Sequence, residues 1–125
     1  RSTLFPYTTL FRSTNRALKS EDFGTVVGYE NHSGLTTLGP DARPFGTVTS
    51  GDGNNGRDRT EGARVHHVIG TYLHGSLLPK NPRVADWLLA RAVEHGGGTW
   101  EPEPLTDPVE EWAERARRVA LSRPR

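Results

Sequence analysis

The sequence predicts an α/β domain in which several short strands are followed by two C-terminal helices. Three observations carry this. Runs of β-branched and aromatic residues recur as far as Leu73, bounded by clusters of Gly, Pro, Asn and Asp. After Pro82 the spacing changes, and two segments carry apolar residues three and four apart behind helix-start signals. Fourteen Gly and nine Pro in 125 residues demand many turns, which suits short elements.

Residues 1–13 do not read like the rest. The run Leu4-Phe5-Pro6-Tyr7-Thr8-Thr9-Leu10-Phe11-Arg12-Ser13 resembles the translation of a sequencing adapter, so residues 1–16 are set aside as a non-native segment and junction. Residues 17–125 are then read as part of one domain. Residues 23–29 are a strand, ending in the polar turn Glu30-Asn31-His32-Ser33-Gly34. Residues 35–38 and 45–49 are short strands separated by a Gly/Pro-rich loop. The Gly/Asn/Asp-rich stretch 50–61 is a long mobile loop, or else a lid, with Asn55-Gly56 in a tight hairpin turn. It departs from the EF-hand pattern at Gly56 and Arg57, so calcium is rejected.

The segment 65–82 organises the chain. Its first half suits a strand, Gly75 permits a sharp change of direction, and Pro79 and Pro82 stop the sheet from continuing. Asn81-Pro82 is an N-cap followed by proline at the first helical position. His74 therefore stands where a strand ends and the chain turns towards a helix. Ligands bind at such strand ends in open α/β sheets, although a hydrogen-bonded loop histidine would fit the spacing equally well. His66 and His67, as strand neighbours, point to opposite faces and cannot share a metal. Residues 83–95 form a helix with a stripe of Val84, Ala85, Leu88, Leu89, Ala92 and Val93, stopped by Gly96-Gly97-Gly98. Trp100 anchors the extended connection that follows. Asp107-Pro108-Val109-Glu110 reads as a capping box. The last helix has Val109, Trp112, Ala113, Ala116, Val119 and Ala120 on one face and a solvated basic end at Arg115, Arg117 and Arg118.

Sixteen basic residues against 15 acidic ones leave a net charge of +1, which does not suggest nucleic-acid binding. No apolar run is long enough to span a membrane. Mean hydropathy is −0.66, low for a self-sufficient core. The chain has no Met and no Cys, which fits a fragment without disulfides or thiolate metal sites.

Gly70-Thr71-Tyr72-Leu73-His74-Gly75 resembles the histidine motif of triad-type (class I) glutamine amidotransferases of the cobyric-acid-synthase-like branch. Leu77-Leu78-Pro79-Lys80-Asn81-Pro82 is closer still to the glutaminase subunits (GatD type) of lipid II isoglutaminyl synthase. Gly28-Tyr29-Glu30-Asn31-His32-Ser33-Gly34 and Gly51-Asp52-Gly53-Asn54-Asn55-Gly56 resemble the same group, in the same order. The resemblance implies the C-terminal half of an amidotransferase domain that hydrolyses L-glutamine and delivers ammonia for amidating the D-glutamate of lipid II. His74 is then the general base. Asn31 and His32 lie beside the glutamine site, with His32 in a supporting rather than a catalytic role. The cysteine nucleophile lies upstream of the covered region, so this chain alone is inactive.

The position two after His74, where many relatives place a Glu, is Ser76. In the resembled group an acid from the partner ligase is thought to orient the histidine. The implied partner is a Mur-ligase-like subunit (MurT type) forming a heterodimer, with ATP and Mg in that subunit, no cofactor or metal here, and a cytoplasmic location. The family's glutamine-binding Arg is not carried over to Arg16. Alternatives are an amidotransferase domain of cobyrinic or cobyric acid synthesis, or a non-catalytic ligase-docking subunit.

Overall fold

The computed structural model describes residues 14–75 and 77–123. The adapter-like run 4–13 and Ser76 lie outside the described residues. The strands are β1 (Thr14–Ser20), β2 (Gly24–Glu30), β3 (Gly46–Ser50), β4 (Thr60–Glu61), β5 (Ala63–Val65), β6 (Val68–Gly70) and β7 (Leu73–His74). The helices are α1 (Leu77–Lys80), α2 (Pro82–His95) and α3 (Val109–Ser122). Five strands form one sheet in the order β4-β3-β1-β2-β7, and β5-β6 is a separate hairpin.

All of these pairings are antiparallel. The expected order of strands before helices holds, but the rule for the carboxyl ends of parallel strands is not what places His74. β1 had not been foreseen. Its pairing with β2 starts at Thr14↔Glu30, ahead of residue 17. Gly24, at φ +69, closes the turn between them. A bulge between Ala17 and Leu18 interrupts the β1–β3 ladder, and the Thr49 hydroxyl donates to the Ala17 carbonyl there at 2.9 Å.

β2 lies between β1 and β7 and is buried on both faces, so alternation sends its two valines into different cores. Val26 joins Leu18, Phe23, Phe45, Leu73 and Val84 of α2. Val27 joins Ala17 and Ala120 of α3. The sheet therefore lies between α2 and α3.

Several expectations give way to longer-range contacts. Residues 35–38 form no strand, because Thr36 donates its N–H to the Asn54 carbonyl in the neighbouring loop. His66 and His67 are not strand neighbours. They form the turn between β5 and β6, with His66 at φ +54 and the two rings stacked 4.0 Å apart. The loop 50–61 is braced rather than free: buried Asn54 bonds Thr60 and both the N–H and the carbonyl of Gly62. Asn55-Gly56 turns within this longer hairpin loop, where Gly56 donates to the Asp52 carbonyl.

Asn81 does stand at the N-cap of α2, but its side chain makes no cap bond. The capping box of α3 does not form either. The cap position falls on Pro108, which has no side-chain donor or acceptor. α3 is rotated so that Ala113, Ala116, Arg117 and Ala120 turn inward while Trp112 is 62% exposed. Arg117 is thus not part of a solvated end. Its guanidinium donates to the carbonyls of Lys80 and Thr25 and to the side chain of Asn81.

Candidate active site

β7 is an edge strand of two residues, paired as Tyr29↔His74 and Glu30↔Leu73. Leu73 is buried in the core beside Val26 and Val84. Alternation therefore turns His74 to the opposite face, where it is exposed. Gly28 has no side chain where Leu73 crosses β2, and an added Cβ would lie 2.8 Å from that of Leu73. Gly75, at φ +56, then reverses the chain into α1, and Lys80 Nζ donates to its carbonyl at 3.2 Å.

The far end of this turn is fastened to the same strand. Asn81 Oδ1 accepts from the Val27 N–H at 2.9 Å, and its Nδ2 donates to the Val27 carbonyl at 2.7 Å. A carboxamide has the donor and acceptor of a peptide group, so Asn81 pairs with β2 as a strand residue would. This use of the side chain explains why it does not cap α2.

His32 is held in a polar cluster. Its Nδ1 lies 2.9 Å from the Gly34 carbonyl, which can only accept, so Nδ1 donates. Its Nε2 lies 2.6 Å from Glu30 Oε1, a contact with one proton between the two atoms. The imidazole stacks on the Tyr72 ring at 3.7 Å and 7°. Tyr72 in turn shares a 2.7 Å hydrogen bond with the Thr36 hydroxyl. The other oxygen of buried Glu30 forms an ion pair with Arg16 at 3.0 Å. Arg16 thus serves Glu30, and reaches Asp52 at 3.6 Å.

The structure brings His32 to the segment that carries His74 through Tyr72, while Asn31 is exposed beside it. Sequence reasoning missed Glu30, Tyr72 and Glu61. Glu61 Oε1 accepts from the Thr71 hydroxyl and from the Tyr72 N–H, each at 2.7 Å. Burial holds its carboxyl above the ordinary carboxylate value, with the Glu30 charge adding to the shift and the Thr71 and Tyr72 bonds opposing it. The signal for Glu30 was present in the quoted Gly28–Gly34 motif, whereas nothing local marked Glu61.

Among the described residues, no cluster of three or more His, Cys, Asp or Glu could hold a metal ion. A cavity of about 780 Å³ lies between α2, α3 and the Pro-rich connection, away from His74. The exposed imidazole at a strand end can take and return protons, but the chain has no thiol for it to activate.

Residues 3–82 match the family model of the CobB/CobQ-like glutamine amidotransferase domain. The chain belongs to this family. The match takes in the whole sheet and the turn that carries His74.

Among curated relatives, this amidotransferase chain is similar to the lipid II isoglutaminyl synthase (glutamine-hydrolyzing) subunit GatD of Staphylococcus aureus (strain N315). The two are 44% identical over 93 residues, which is 74% of this chain and 37% of that protein. GatD of Streptococcus pneumoniae (strain ATCC BAA-255 / R6) is 38% identical over 92 residues, 69% of this chain and 35% of that protein. The cobyric acid synthase of Sphingopyxis alaskensis is 38% identical over 97 residues, 76% of this chain and 17% of that protein. These similarities bear out the resemblance carried by the motifs. The chain spans little more than a third of the length of the two GatD relatives.

Proposed function

We propose that this chain is part of a glutaminase subunit that hydrolyses L-glutamine and passes ammonia to a ligase, for amidation of the D-glutamate of lipid II. The observation that carries the reading is His74, exposed at the end of an edge strand on a turn set by Gly75, within a chain similar to GatD proteins. The cysteine nucleophile comes from outside these 125 residues. His74 takes the thiol proton as the thiolate attacks the glutamine carboxamide. The imidazolium returns that proton to the departing ammonia, leaving a thioester. His74 then deprotonates the water that hydrolyses the thioester to glutamate and free thiol.

The partner in this reading is a Mur-ligase-like subunit (MurT type), which binds ATP and Mg and supplies the acid that orients His74. This subunit holds no cofactor. Residues 14–16, set aside with the junction on sequence grounds, belong with the amidotransferase domain, because β1 pairs with β2 from Thr14 and Arg16 forms an ion pair with Glu30; the non-native junction of this reading ends ahead of Thr14. Asn31 lies beside the glutamine site. No helix among the described residues is long and apolar enough to cross a membrane. In this reading the subunit works in the cytoplasm. A second reading, ammonia supply for cobyric acid synthesis, is favoured by the similarity to cobyric acid synthases.

The test is His74→Ala in the complete subunit bound to its ligase partner. Glutamine-dependent amidation should vanish, while amidation from added ammonium and co-elution of the two subunits persist. Glutamine use within a few-fold of the parent would overturn the assignment.

A further inference from the structure

Glu61 takes no part in the reaction as drawn, yet it is 1% exposed and lies under the segment that carries the base. Its Oε1 accepts both the Thr71 hydroxyl and the Tyr72 N–H. With its proton committed to Glu61, the Thr71 hydroxyl presents a lone pair to the Leu73 N–H at 3.0 Å. One carboxylate oxygen thus fixes three consecutive residues, and the next is His74. Two donors converge on that one buried oxygen and the third bond follows from the first, so this hold is stiff. Glu61 is itself held on both flanks, because the Asn54 carboxamide binds Thr60 on one side and Gly62 on the other. Tyr72 is further secured by the His32 ring and by Thr36.

We propose that Glu61 is a positioning residue for His74, acting through Thr71 and Tyr72 to set the strand end on which the imidazole stands. The proposal rests on the reading of His74 as the general base. Glu61 touches neither glutamine nor the reacting atoms. Its effect is on the alignment of imidazole and thiol, where a displacement of about 1 Å can cost on the order of 10²-fold in rate.

The experiment measures glutamine hydrolysis by the complete subunit with its ligase partner, for Glu61→Leu, Glu61→Gln, Thr71→Val and His74→Ala, with co-elution of the subunits as the check on folding. Glu61→Leu should lower kcat by about 10- to 100-fold with KM for glutamine unchanged. Glu61→Gln keeps an acceptor oxygen and should recover most of that loss. Thr71→Val removes a single hydroxyl and should lower kcat in the same direction; it carries the test alone if Glu61→Leu fails to assemble. A parent-like kcat in Thr71→Val and in any assembled Glu61→Leu, a loss confined to KM, or a Gln variant no better than Leu would overturn the proposal. If His74→Ala keeps its glutaminase activity, the reading of the base itself fails. If His74→Ala is dead while the Glu61 and Thr71 variants run at the parent rate, only the positioning role fails.

Discussion

A methyl group at position 28 would press on Leu73, the neighbour of the proposed base. Gly28→Ala should therefore destabilise the fold by about 1–3 kcal/mol through overpacking, read from denaturant midpoints. Gly75 makes a contrasting case. A Cβ there would meet nothing within 4 Å, so Gly75→Ala should cost only the left-handed backbone penalty of about 1–2 kcal/mol. Glu61 supplies a pH prediction. Burial raises its folded-state value above the ordinary 4.5, so the fold prefers the protonated form. Its contribution is complete below about pH 4.5 and is lost as pH rises through the raised value. Glu61→Gln should accordingly gain stability relative to the parent between acidic and neutral pH; a difference that stays flat with pH would contradict this. Gly75 and His74 were legible because a glycine after a β-rich run and a histidine beside it are local signals. Glu61 was not, because a carboxylate in a Gly-rich loop looks like a surface residue until Thr71 and Tyr72 are folded over it.

Among the elements, those with a local hydrophobic period were read correctly and those defined by distant partners were not. β2, β3 and α2 follow from alternation or an apolar stripe in their own residues, although Leu89 and Ala92 of the α2 stripe are exposed and Trp87, outside it, packs on the core. α3 also follows, but its rotation does not. Trp112 and Val119 suggested the inward face, whereas Arg117 is drawn inward by the carbonyls of Thr25 and Lys80. Arg117→Lys should loosen α3, because an ammonium cannot reproduce the planar fork that reaches three acceptors. Faster amide exchange across α3, with β1 and β2 unchanged, is the expected result. The His66–His67 turn hid inside a run rich in β-branched residues, since neither histidine carries the usual Gly or Asn signal for positive φ.

At the scale of the whole molecule, chemistry and scaffold are separable. The chain holds the proposed general base and the braces beneath it, but no cysteine. The 125-residue chain alone should therefore release no ammonia from glutamine; release above a buffer blank that His74→Ala abolishes would contradict this. The double attachment of residues 74–81 to β2, at Tyr29 and again at Val27, has a mechanical consequence. A turn held at one end is a free arm, and its tip wanders. A turn held at both ends is a closed link, and each fastening raises the local concentration of the other. Opening the Asn81 clasp would lengthen the arm on which the imidazole rides and leave the Val27 peptide groups unpaired. Asn81→Ala should then cost about 2–4 kcal/mol in stability. In the complete subunit it should also slow glutamine turnover, although Asn81 stands at the far end of the link from His74.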